Sequence, residues 1–200
     1  MSPSASAAQP QRQPQPRPRP AERRGRRFDP DRRTRILDAA LDVLAESGAA
    51  EATHRRIAAR ADVPLGSLTY HFAGLAELRA EAFARYVELQ SAEFERVFEG
   101  VETSERFIDA LVEFVHGGPG RRRSALLGFE LHLAALRDPE LRALTQRWTD
   151  HSRLILSRFT TPEAAARLDA LLEGLIMHEL LATVPQPREA TRAAIVRNLS

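Results

Sequence analysis

The stretch Ala52-Thr-His-Arg-Arg-Ile-Ala-Ala-Arg-Ala-Asp-Val-Pro-Leu-Gly-Ser-Leu-Thr-Tyr-His-Phe72 reads as two short helices around a turn. Thr53 opens the first, because a threonine hydroxyl at the N-cap satisfies a backbone amide that the helix leaves unpaired. Ile57 and Ala58 then fall on an inward face, and the helix ends near Ala61. Asp62-Val63 forms a tight turn. Pro64 suits the first position of the next helix, where its missing N–H is no loss, and that helix runs through His71. Phe72 would close a small core over Leu68 and Ile57.

Upstream, Asp29-Pro30-Asp31 supplies an N-cap, a proline at the first helical position and an acid that complements the helix dipole. Ile36, Leu37, Ala40, Leu41 and Leu44 recur at helical spacing before Ser47-Gly48 stops the run. A supporting helix followed by two short ones is the geometry of a helix-turn-helix, in which the inner faces form a core and the outer face of the last helix enters the DNA major groove. Short helix pairs also occur in plain bundles, so geometry alone leaves the DNA reading open.

Downstream of Ala73-Gly74 the periodicity predicts long helices at about 75–99, 103–116, 121–137, 139–159, 163–183 and 188–199. Gly100, Gly117-Gly118-Pro119-Gly120, Pro139, Pro162 and Pro185-Gln186-Pro187 separate them, and no segment alternates as a strand does. The expected fold class is all-α, with a helix-turn-helix domain at 28–74 and an effector-binding and dimerisation domain at 75–200.

With hydrophobic residues at 43% and charged residues at 28%, the composition is that of a soluble globular protein. No apolar run approaches the roughly 18 residues of a membrane span, so no membrane partner and a cytoplasmic location are expected. The absence of cysteine excludes disulfides, thiol redox chemistry and Cys-ligated zinc. All 29 basic residues are arginine. Seven of them, against one Glu, lie in residues 1–27, so the formal charge of +2 belongs to this segment and the remainder is mildly acidic. Its Pro, Gln, Ser and Arg composition predicts a disordered tail with polyproline character. Arg23, Arg24, Arg26 and Arg27 suit either a flexible DNA-binding arm or a solvated tail.

The quoted stretch, continued by Leu75-Ala-Glu-Leu78, resembles the DNA-binding domain of the TetR family of transcriptional regulators. The matching features are a threonine-capped helix with Ile-Ala, a Val-x-x-Gly-x-Leu-x-Tyr-His-Phe recognition helix and a Gly-x-x-x-Leu start to the fourth helix, over about Arg32 to Ala82. The resemblance implies a ligand-responsive repressor that binds a palindromic operator in double-stranded DNA as a homodimer. It places Thr53, Arg55, Leu65, Gly66, Ser67, Thr69, Tyr70 and His71 at the DNA. Gly66 would permit close approach, Thr69 a base contact, and Tyr70 and His71 phosphate contacts. Arg56 and Arg60, and less readily Arg32, Arg33 and Arg35, are further candidates for backbone neutralisation. Thr69 stands where many members carry tyrosine, and Leu75 replaces a phosphate-reaching lysine. Asp62 and Pro64 replace Gly and Ser of the turn, where Asp tolerates unusual backbone angles.

The helix between Ala164 and Val184 is apolar almost all round, which requires cover on two sides. The family resemblance assigns that cover to a homodimer bundle of 163–183 and 188–199. Phe114, Phe129, His132, Trp148, His151 and His178 are the candidates for an effector pocket, an apolar cavity with a few polar groups. Arg121-Arg-Arg123 reads as a solvated turn. His116, His132, His151, His178, Glu130 and Glu179 lack a metal-ligand spacing, so no metal is expected. No catalytic motif and no cofactor fingerprint is present, and the expectation is a protein that is not an enzyme. An alternative is a nucleic-acid-binding protein driven without sequence preference by the Arg-rich tail.

Overall fold

The computed structural model describes residues 31–118 and 120–199, and the Arg-rich segment 1–27 and the Asp29-Pro30 start signal lie outside them. Among the described residues the chain is all-α, with helices α1 (Arg32–Glu51), α2 (His54–Arg60), α3 (Leu65–His71), α4 (Leu75–Val97), α5 (Ser104–His116), α6 (Arg121–Ala135), α7 (Pro139–Leu156), α8 (Pro162–Leu181) and α9 (Arg188–Leu199).

Local chemistry sets most helix starts. The side chains of Thr53, Thr103, Asp138 and Thr161 accept hydrogen bonds from first-turn amides of α2, α5, α7 and α8. Pro139 and Pro162 follow two of these caps at the first helical position. Gly48 takes φ 75 and ψ 172 and kinks the end of α1, a conformation that glycine adopts without steric cost. In the turn between α2 and α3, Asp62 is left-handed at φ 51, as a turn aspartate tolerates.

Several helices end two or three residues before the expected positions. The Phe98 amide bonds to the Glu95 carbonyl, Arg137 to Ala134, and Phe159 to Leu156, each a three-residue closure that tightens the last turn.

Two apolar clusters organise the packing. The first joins Ile36, Leu41 and Leu44 of α1, Ile57, Leu68, Phe72, the first half of α4 through Val87, and Leu127, Leu131, Leu141 and Leu144. The second joins Phe94, Phe98, Phe107, Leu111, Ile155, Leu156, Leu168, Leu172 and Ile195. Helices α4 and α7 contribute to both, so rigid rods run from one cluster to the other. Packing crosses residue 74, with α1 lying on both α4 and α6. On α8, Leu168 and Leu172 are buried, whereas Met177 and Leu181 are exposed, as is Val184 just beyond the helix.

Candidate nucleic-acid interface and ligand cavity

Helix α3 separates its residues cleanly by face. Leu68 is fully buried and Phe72 nearly so, against Ile57 and the apolar face of α1. Leu65, Gly66, Thr69 and Tyr70 are exposed and Ser67 and His71 half-buried, with Tyr70 81% exposed. A large aromatic thus stands in water beside a fully packed leucine. The Thr69 hydroxyl donates to the Gly66 carbonyl at 3.2 Å, and the Tyr70 and His71 rings meet edge to face at 5.0 Å, which holds both aromatics in place.

The flanking polar residues divide into two groups. Thr53 Oγ1 accepts from the Arg56 amide at 3.3 Å, so its position is fixed by its capping role. Arg55 is exposed and belongs to none of the described ion pairs. Arg56 bonds Glu51 at 2.7 Å and Ser47 at 2.7 Å, and Arg60 pairs with Glu46, so both tie α2 to the end of α1. Arg33 pairs with Glu81 and lies over the Phe72 ring at 5.0 Å, which gives it a packing role at the α1–α4 contact.

A cavity of about 100 Å³ opens between α4, α5, α6, α7 and α8. It brings together Phe114, Phe129, His132 and Trp148 from the sequence expectation, and adds Tyr86, Gln90, Phe94, Arg121, Asp169 and Glu173. The rings are mutually packed: Tyr86 meets Trp148 edge-on at 5.6 Å, Phe94 meets Phe114 at 4.9 Å, and His132 stacks on Trp148 at 5.8 Å. The Tyr86 hydroxyl donates to the Ser124 carbonyl at 2.7 Å, and burial raises its pKa. Gly128 leaves room for it, since a Cβ there would lie 3.0 Å from that hydroxyl. Asp169 is pushed up to about 6 by burial and by the negative charge of Glu173, against the hydrogen bond from Arg153 at 3.2 Å. His132 Nε2 lies 3.7 Å from Glu173.

Two expected lining residues stand elsewhere. His151 is one position from the lining Ser152, about 100° around the helix, and faces Glu95 at 3.6 Å. His178 borders a separate depression with Leu171, Gly174 and Gln186. Arg121 is also not a solvated turn residue: its guanidinium sits over the Phe114 ring at 4.1 Å, while Arg122 and Arg123 are exposed. The additional lining residues do carry a sequence signal. Tyr86, Gln90 and Phe94 repeat at four-residue spacing, as do Arg121, Ala125 and Phe129, and Asp169, Leu172, Glu173 and Ile176 share one face. Polar groups on these otherwise apolar stripes mark the cavity. Among the described residues, no group of three or more His, Asp or Glu is placed to hold a metal, and no helix is long and apolar enough to cross a membrane.

Comparison with known proteins agrees with this architecture. Residues 36–82 match the family of bacterial regulatory proteins described as tetR family, and residues 102–200 match the tetracyclin repressor-like C-terminal domain. The chain is 30% identical to the HTH-type transcriptional regulator BetI 1 of Chromohalobacter salexigens, over 82% of this chain and 85% of that one. Among solved structures, the transcriptional regulator SCO7518 of Streptomyces coelicolor A3(2) is 41% identical with a TM-score of 0.77, covering 86% of this chain and 99% of that one. The multidrug binding protein EbrR, complexed with ethidium, is 36% identical with a TM-score of 0.68, covering 84% and 99%. The chain is therefore a member of the TetR family of helix-turn-helix transcriptional regulators.

Proposed function

We propose that this regulator is a cytoplasmic, ligand-responsive repressor, a homodimer that binds a palindromic operator through α3 and is released from it by a small molecule in the α4–α8 cavity. In this reading residues 28–74 hold the DNA and 75–200 the effector and the partner subunit. The observation that carries it is the two-faced α3, with Leu68 sealed in the core and Leu65, Gly66, Thr69 and Tyr70 presented outward. The uncovered apolar residues Met177, Leu181 and Val184 support pairing of α8 and α9 with those of a second copy. Two recognition helices would then meet half-sites about one helical turn apart.

The cavity favours a flat organic cation as effector. Five aromatic side chains offer ring faces, and Asp169 and Glu173 offer negative charge, the combination that cation–π recognition uses. EbrR is complexed in its structures with imidazole and with three larger aromatic cations, ethidium, malachite green and proflavin. Binding of such a ligand would shift the dimer toward a half-site spacing that mismatches the operator, so ligand and DNA would weaken each other's binding by the same factor.

Selection of bound duplexes from a random DNA pool tests this proposal. Enrichment of an inverted repeat is expected, together with its release by a cationic dye. Salt-sensitive binding with no enriched sequence would instead assign nucleic-acid binding to the Arg-rich segment.

A further inference from the structure

Arg121 is placed where its chemistry is least comfortable. It is the first residue of α6, and the first turn of that helix holds Arg121, Arg122 and Arg123 with no acid, so its charge opposes the helix dipole. Burial lowers its pKa, and none of the described ion pairs includes it. Its fixed contact is the face of Phe114, 4.1 Å from the guanidinium carbon. The backbone makes room for it: Gly117 sits at φ 59, and a Cβ there would lie 2.5 to 2.7 Å from the Arg121 side chain. A cation is thus folded into an aromatic cavity that also presents Asp169 and Glu173, outside the described ion pairs and drawn to a carboxylate only through the longer-range charge of Glu93.

We infer that Arg121 is a resident cationic occupant of the cavity, and that an organic cation enters by taking its place on Phe114. The inference rests on the effector-cavity reading above. Arg121 acts as a specificity residue of an unusual kind, because it competes with the ligand instead of binding it. A cation gains the Phe114 ring that Arg121 vacates, together with the carboxylates of Asp169 and Glu173, with which Arg121 forms no ion pair. The arginine regains its hydration on leaving, since the Gly117-Gly118 loop beside it opens to solvent at Gly118. Displacement also frees the first turn of α6, whose Arg123 bonds Asp42 of α1 at 2.7 Å and whose Ser124 carbonyl receives the Tyr86 hydroxyl. Exchange of one cation for another at this spot therefore acts on the helix that touches the DNA-binding half.

The test titrates full-length protein with ethidium and, separately, with 1-anilinonaphthalene-8-sulfonate, an anion of comparable size, and reads quenching of Trp148, the only tryptophan. Wild type is compared with Arg121→Met, which keeps an apolar stem on Phe114, and with Arg121→Lys, which keeps the charge. Thermal melts establish that each variant is folded. Ethidium is expected to bind Arg121→Met about tenfold more tightly than wild type, with Arg121→Lys close to wild type. Equal ethidium affinity in all three proteins overturns the competition while leaving the cation cavity intact. Tight binding of the anion, lost in Arg121→Met, makes Arg121 a ligand-binding counter-charge and overturns both. Binding of neither probe to any variant also overturns both.

Discussion

Glu130 of α6 accepts a hydrogen bond from the Ala49 backbone amide at 3.3 Å, so the helix that lines the cavity also secures the kinked end of α1. Its other carboxylate oxygen lies 3.1 Å from where a Cβ on Gly48 would stand. The left-handed φ favours glycine there, and a side chain would also have to displace the carboxylate slightly. Gly48→Ala is expected to lower stability by about 1–2 kcal/mol, and Glu130→Ala by about 1–2 kcal/mol through the unsatisfied amide. In the double variant the losses should sum to less than the two singles, because removing the carboxylate relieves the crowding. Urea unfolding of the four proteins reads this directly, and strictly additive losses would refute the contact.

The two faces of α3 should respond oppositely to truncation. Tyr70→Ala removes a side chain that packs on little besides His71, so its melting temperature should stay near wild type while affinity for the selected duplex falls at least tenfold, the effect of losing about 1.4 kcal/mol of contact. Leu68→Ala opens a cavity in a closed core and should cost about 2–5 kcal/mol of stability. A Tyr70→Ala protein with unchanged DNA affinity would remove the outer face of α3 from the interface.

Asp62 supplies the left-handed residue of the turn between α2 and α3 at φ 51. Glycine adopts that conformation freely and a β-branched residue does not. Asp62→Gly should leave stability within about 1 kcal/mol of wild type, and Asp62→Val should lower it by at least about 1 kcal/mol. Chemical denaturation midpoints distinguish the two, and a tolerated valine would show that the turn relaxes to another geometry.

The start of nearly every described helix was legible because its cause is local. Thr53 caps an amide three residues on and Pro139 and Pro162 fix their own φ at the helix start, while Asp138 and Thr161 add caps that lie outside the sequence expectation. Helix ends were less legible, since the tightened last turns at Phe98, Arg137 and Phe159 depend on packing around them and leave no residue signature. The cavity was half legible for a related reason. Aromatic and imidazole side chains among the apolar residues of a helix signal a core or a cavity, and Phe114, Phe129, His132 and Trp148 carry that signal. Arg121 and Asp169 were hidden because an arginine after a glycine loop and an aspartate on a helix are ordinarily solvated. Only the convergence of five helices buries them. His151 illustrates the converse, since it follows the lining Trp148 by three residues, a helical spacing, but one step of helix rotation from Ser152 turns it toward Glu95.

Asp169 gives the cavity a pH dependence whose sign follows from burial. Its pKa rises in the folded protein from an ordinary 3.8 to about 6, chiefly by desolvation and then by the charge of Glu173. The folded state therefore holds this proton more tightly than the unfolded chain does, so the contribution to stability is full below about pH 4, declines as pH rises toward 6 and is lost above it. Asp169→Asn should abolish that decline, read as the difference between variant and wild type in urea unfolding at pH 4, 5, 6 and 7.5. An organic cation in the cavity favours the ionised form and pulls the other way. Its binding should release a proton near pH 5–6, and its affinity should weaken as pH falls through 6 in wild type but not in Asp169→Asn. Calorimetric titration of ethidium in buffers of different ionisation enthalpy measures the proton directly. Binding without proton release at pH 5.5 would place the ligand away from Asp169, even if Trp148 reports its arrival.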